Sequence, residues 1–116
     1  MEIKVIRSDD EISHVSLVGR MDHNGATEIE QAFVAATAGR QKPTVVELGE
    51  VTFIVSLGIR VLLGAAKSLS ANGHKIALVN SQPLVAETLR LAKLDDIFVL
   101  TNDVDDAIEQ ISESAG

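Results

Sequence analysis

The sequence predicts an α/β protein with a mixed sheet, in the order ββαβαβαβα, and three observations carry that prediction. First, residues 2–7 (EIKVIR) and 12–19 (ISHVSLVG) both alternate in polarity. The polar Ser8-Asp9-Asp10-Glu11 separates them, which is the pattern of an antiparallel hairpin. Second, β-rich apolar stretches at 44–55, 75–79 and 97–100 are each followed by a run with helical spacing. Third, strands that alternate with helices require parallel crossovers, so the hairpin and the crossovers together give a sheet of mixed direction.

After the hairpin, Gly19 to Gly25 forms a loop in which Asp22 or Asn24 is placed to cap the amides that follow. A helix over about 26–38 puts Ile29, Phe33 and Ala36 on one face, and Gly39 is expected to stop it. Pro43 opens the next strand, Thr44–Leu48, and Gly49-Glu50 separates it from the apolar run Val51–Val55. Ser56 stands at the junction with a helix over about 57–71, which Asn72-Gly73 closes.

Lys75–Val79 reads as a buried strand, and Pro83 suits the first turn of a helix running to about residue 93. Leu84, Thr88 and Leu91 lie on one side of that helix, with Val85, Leu89 and Ala92 beside them. Asp95-Asp96 is expected to break it. A short strand over 97–100 and a helix capped from Thr101-Asn102-Asp103 complete the chain. Val104, Ala107, Ile108 and Ile111 match the helical template, and 112–116 is expected to be a frayed tail. The whole of 1–116 is read as one domain, without repeat or linker.

Composition narrows the function. The net charge is −7, with three Phe and neither Trp nor Tyr. Phosphate backbones call for basic stripes and single strands for stacking aromatics, so nucleic acid and anionic membrane are not expected partners. Without cysteine there are no disulfides, thiolate metal sites or thiol nucleophiles. No apolar run approaches the roughly 18 residues of a membrane span, and no signal-peptide pattern opens the chain, so a cytoplasmic protein is expected.

Catalysis and cofactor binding find no support. His14, His23 and His74 are scattered over strand, loop and turn, and no metal-ligand spacing or phosphate-binding Gly-rich loop is present. Asp9-Asp10 resembles the acidic pair of a phosphorelay receiver, but 44–55 contains no Asp to accept a phosphate. The pair is more simply a turn.

The helix after Ser56 carries the sharper signal. Helical spacing assigns Ile59, Leu62, Leu63, Ala66 and Leu69 to the buried stripe. The opposite side is expected to show Leu57, Val61, Gly64, Ala65, Ser68 and Ala71, with Arg60 and Lys67 along one edge. Such a small, apolar face lets another surface approach closely. Ser56 has two readings. It is an N-cap worth on the order of 1 kcal/mol, or a phosphoacceptor at the mouth of a docking face, where a phosphate adds about −1.5 to −2 charges.

The segment VVELGEVTFIVSLGIRVLLGAAK resembles the signature of STAS domains, specifically the anti-sigma factor antagonists, and Gly19-Arg20-Met21-Asp22 resembles their Gly-x-hydrophobic-Asp element. The resemblance spans essentially the whole chain. It implies a non-catalytic, protein-binding domain that docks an anti-sigma factor which is also an ATP-dependent serine kinase. Docking frees the sigma factor, and phosphorylation of the motif serine, here Ser56, ends the interaction; a serine phosphatase is a further implied partner. Gly58 matches the motif glycine and Asp22 the loop aspartate, and the partner-binding set is Asp22, Leu57, Gly58, Arg60, Val61, Gly64, Ala65 and Ser68. The sequence departs from the motif at Val55 (Asp expected), Leu57 (second Ser expected) and Glu47 (Asp expected). Those departures keep a second expectation open, a constitutive STAS adaptor or signalling-assembly component with no phospho-switch.

Overall fold

The computed structural model describes residues 1–113. Its elements are β1 Glu2–Ser8, β2 Ser13–Met21, α1 His23–Ala36, β3 Thr44–Ile54, α2 Ser56–Ser70, β4 Ile76–Val79, α3 Pro83–Leu91, β5 Val99–Thr101 and α4 Val104–Glu113. The sheet runs β1-β2-β3-β4-β5, antiparallel between β1 and β2 and parallel thereafter. This is the mixed sheet and the element order that the sequence predicts.

Two apolar clusters sandwich the sheet. Val15, Leu17, Val46, Leu48 and Leu78 cluster with Ile29 and Phe33 of α1, Leu62 and Leu69 of α2, and Val85 and Leu89 of α3. Consecutive right-handed crossovers that step in one direction put all three helices on that face. On the other face Val45, Ala77 and Val79 cluster with Ile12 and with Ala107 and Ile111 of α4, and the half-buried Val99, Val104 and Ile108 pack against them.

Two polar ties pin the start of the sheet. His14 Nε2 lies 2.6 Å from Glu47 Oε2 across β2 and β3. Arg40, in a 3-10 turn after α1, donates to the Ile12 carbonyl at 2.9 Å, to Ser13 Oγ at 2.6 Å and to the Asp9 carbonyl.

Several boundaries differ from expectation for identifiable reasons. β3 does not break at Gly49-Glu50; it continues to Ile54 because register shifts between Ser16 and Val18 and between Gly19 and Arg20 keep it paired with β2. Gly39 does not terminate α1, which ends at Ala36; the glycine lies inside the 3-10 turn Ala38–Arg40. α3 ends at Leu91, with Ala92 as C-cap and Lys93 left-handed at φ 60°, and Asp95 and Asp96 form a second 3-10 turn. Within α3 only Val85 and Leu89 are buried, while Leu84 and Leu91 face solvent. Ser112 and Glu113 belong to α4 rather than to a tail, and residues 114–116 lie outside the described residues.

The largest correction concerns α2. Its buried residues are Gly58, Val61, Leu62, Ala65, Ala66 and Leu69. Val61 and Ala65, expected on the open face, are 4% and 2% exposed, whereas Ile59 and Leu63 are only partly buried. The helix packs against α1 and the following 3-10 turn as well as the sheet, so its buried arc is rotated toward those neighbours. A pattern of small and large apolar residues cannot tell a face lined by Ala for close helix packing from one left open.

Candidate partner-docking site

β3 pairs with β4 only through Thr44–Glu47 and then continues beside β2 as far as Met21↔Ile54. The Val55 amide donates to the Met21 carbonyl at 3.1 Å, so the ends of both strands are fastened together. Each strand leads directly into a helix, and the first turns of α1 and α2 therefore emerge side by side. This juxtaposition brings Asp22 next to the Val55-Ser56 junction.

The two helix starts are built differently. Asp22 is the N-cap of α1, and its Oδ1 accepts from the Gly25 amide at 2.8 Å. That bond, helped by Arg20, holds the Asp22 carboxyl below the usual carboxylate range. Gly25 is required here, because a Cβ would lie 2.2 Å from the Arg20 carbonyl oxygen.

At α2 the N-cap position is Val55, extended at φ −109° and ψ 174°, with no side-chain acceptor. Ser56 is therefore not the cap but the first helical residue. Its side chain is exposed and its hydroxyl engages no hydrogen bond among the described residues.

Gly58 fixes how closely α2 approaches the strand ends. A Cβ there would lie 2.8 Å from Met21 Cγ and 3.0 Å from both Ile54 Cγ1 and Met21 Sδ. The motif glycine is thus a packing glycine, and together with Val61 and Ala65 it lies on the buried side of α2 rather than on its exposed side.

The exposed side of α2 carries Ser56, Arg60, Gly64, Lys67 and Ser68, flanked by the half-buried Leu57, Ile59 and Leu63. A Cβ at Gly64 would meet nothing within 4 Å, so the surface is flat at mid-helix. α2 contains no acidic residue, although the chain as a whole is at −7. Ser68 is tied at its hydroxyl by Gln41 Nε2 at 3.2 Å. Of the expected partner-binding set, Leu57, Arg60, Gly64 and Ser68 remain on this surface and Asp22 borders it.

One neighbouring pair escaped the sequence reading. The Arg20 guanidinium lies 4.5 Å above the centre of the Phe53 ring, and Arg20 Nε is 3.6 Å from Asp22 Oδ2. Arg20 is paired with Phe53 in the β2–β3 register, so correct strand pairing would have found it. Among the described residues no group of three His, Cys, Asp or Glu side chains is placed to hold a metal, and no helix is long and apolar enough to cross a membrane.

The fold as a whole matches known proteins. The family model described as "Mlab, STAS domain" matches residues 5–101, most of the sheet and three of the four helices, and the chain belongs to the STAS domain family. Among solved structures it is similar to an anti-sigma factor antagonist from Mycobacterium paratuberculosis, 28% identical with a TM-score of 0.79, covering 95% of this chain and 94% of that one. A candidate anti-sigma factor antagonist from Thermotoga maritima is 22% identical, with a TM-score of 0.81 and coverages of 95% and 92%. The unphosphorylated form of the anti-sigma factor antagonist SpoIIAA is 17% identical, with a TM-score of 0.77 and 97% of each chain covered. The last two likenesses bear on the fold alone.

Proposed function

We propose that this chain is a non-catalytic, cytoplasmic anti-sigma factor antagonist whose single domain, residues 1–116, docks a partner through the exposed side of α2. The partner is an anti-sigma factor that is also an ATP-dependent serine kinase; phosphorylation of Ser56 ends the interaction, and a serine phosphatase restores it. The observation that carries this reading is the free, exposed Ser56 hydroxyl at the first position of α2, beside Leu57, Arg60 and Gly64. A phosphate at Ser56 introduces about two negative charges at the edge of that surface. Burying it against a partner without a cationic mate costs several kcal/mol, enough to reverse a bound population.

Incubation with the kinase partner and ATP tests the switch. Intact mass is expected to rise by one phosphate in the wild type and not in Ser56→Ala, and the phosphorylated protein is expected to lose the partner. No phosphate on the wild type, with equal partner binding by both proteins, would refute the switch.

A second reading is favoured by Val55. With an apolar residue at the N-cap position, the acid expected in the motif is missing from beside the hydroxyl. A constitutive adaptor would use the same surface and be indifferent to Ser56→Glu.

A further inference from the structure

The chain's most exposed large apolar side chains lie far from Ser56 in sequence. Leu91 is 73% and Leu84 59% exposed, both on α3, and Ile97 and Leu100 are exposed beyond it. Seven residues separate the two leucines, which is two helical turns, so they stand on the same side of α3. Val85 and Leu89 hold the opposite side in the core. Glu87 and Arg90, both exposed, share one flank of the Leu84–Leu91 line.

This pattern is complementary to itself. If two α3 helices lie antiparallel about a two-fold axis passing between residues 87 and 88, Leu84 of each copy meets Leu91 of the other. A perpendicular two-fold keeps like flanks together. Glu87 of one copy then lies within two residues of register, about 3 Å along the axis, of Arg90 of the other. Two leucine contacts and two crossed ion pairs form from a single nine-residue helix. Closed two-fold dimers are the commonest homo-oligomers, and their interfaces must have this self-complementary character.

We propose that the occupant of the exposed α3 face is a second copy of this chain, packed antiparallel through Leu84, Leu91, Glu87 and Arg90. So small a patch falls at the low end of interface sizes, so the dimer is weak, with dissociation in the micromolar to millimolar range.

Sedimentation equilibrium from low micromolar to about millimolar protein tests this. The wild type is expected to show a concentration-dependent monomer–dimer equilibrium. All the substituted positions are exposed, so the variants are expected to keep the wild-type circular dichroism. Leu91→Glu is expected to stay monomeric throughout. Glu87→Arg is expected to weaken association about tenfold, and Glu87→Arg combined with Arg90→Glu to restore it. A wild type that stays monomeric at about millimolar concentration overturns the proposal. So does a dimer unaffected by Leu91→Glu, or a double charge swap no better than the single one.

Discussion

Replacing Gly58 with Ala tests whether close packing at the start of α2 sets the position of Ser56. The new Cβ would be 2.8 Å from Met21 Cγ and 3.0 Å from Met21 Sδ and Ile54 Cγ1. These contacts are all side chains, so the neighbours shift rather than the backbone, at a cost of about 1–3 kcal/mol for overpacking. The helical preference of Ala over Gly returns up to about 1 kcal/mol, and less in a first turn. The net expectation is a loss of about 1–2 kcal/mol. At roughly 2.1 cal/mol/K per residue over 116 residues, each kcal/mol lowers Tm by about 4 °C, so the expected drop is about 4–8 °C. Differential scanning calorimetry reads it directly. In a Met21→Ala background two of the three contacts disappear, and the effect of Gly58→Ala should shrink by about half or more. A Tm that rises, or a drop of the same size in both backgrounds, would refute the packing account.

Three further outcomes are expected. Asp22→Ala should cost about 1 kcal/mol through the lost α1 cap, while Asp22→Asn stays within a few tenths because Asn caps comparably; if Asp22 also meets the partner by its charge, Asn alone weakens binding in a titration without moving Tm. Asp9, bonded first by the Arg7 side chain and also by the Glu11 amide, has its carboxyl lowered to about 2. A depressed folded-state value means the contribution is complete above about pH 4 and is lost as pH falls toward 2, so Asp9→Asn should flatten the urea-midpoint profile across that window. Val55→Asp supplies the missing acceptor at the N-cap of α2, and the initial rate of Ser56 phosphorylation by the kinase partner should rise; an unchanged rate would show that the acid is not what the kinase needs.

The element order and sheet type were legible because alternation and helical spacing report which side of an element is buried. The α2 surface was only half legible. Arg60, Gly64 and Ser68 sit where spacing put them, but Val61 and Ala65 did not, because α1 shares the burial with the sheet. Ser56 was ambiguous in sequence between cap and first turn, since helix boundaries are uncertain by a residue or two; the extended φ and ψ of Val55 resolve it. The Arg20–Phe53 contact depends on register across a bulged strand pair, which the sequence does not encode locally.

The central claim is that the exposed side of α2 is the docking surface, and Gly64 gives the most direct measurement. Nothing lies within 4 Å of a Cβ at that position, so Gly64→Glu fits without disturbing the fold and should hold or raise Tm. In an isothermal titration with the kinase partner, the variant is expected to bind at least about tenfold more weakly than the wild type, or about 1.4 kcal/mol. Equal affinity with Tm unchanged would place the docking surface elsewhere on the molecule.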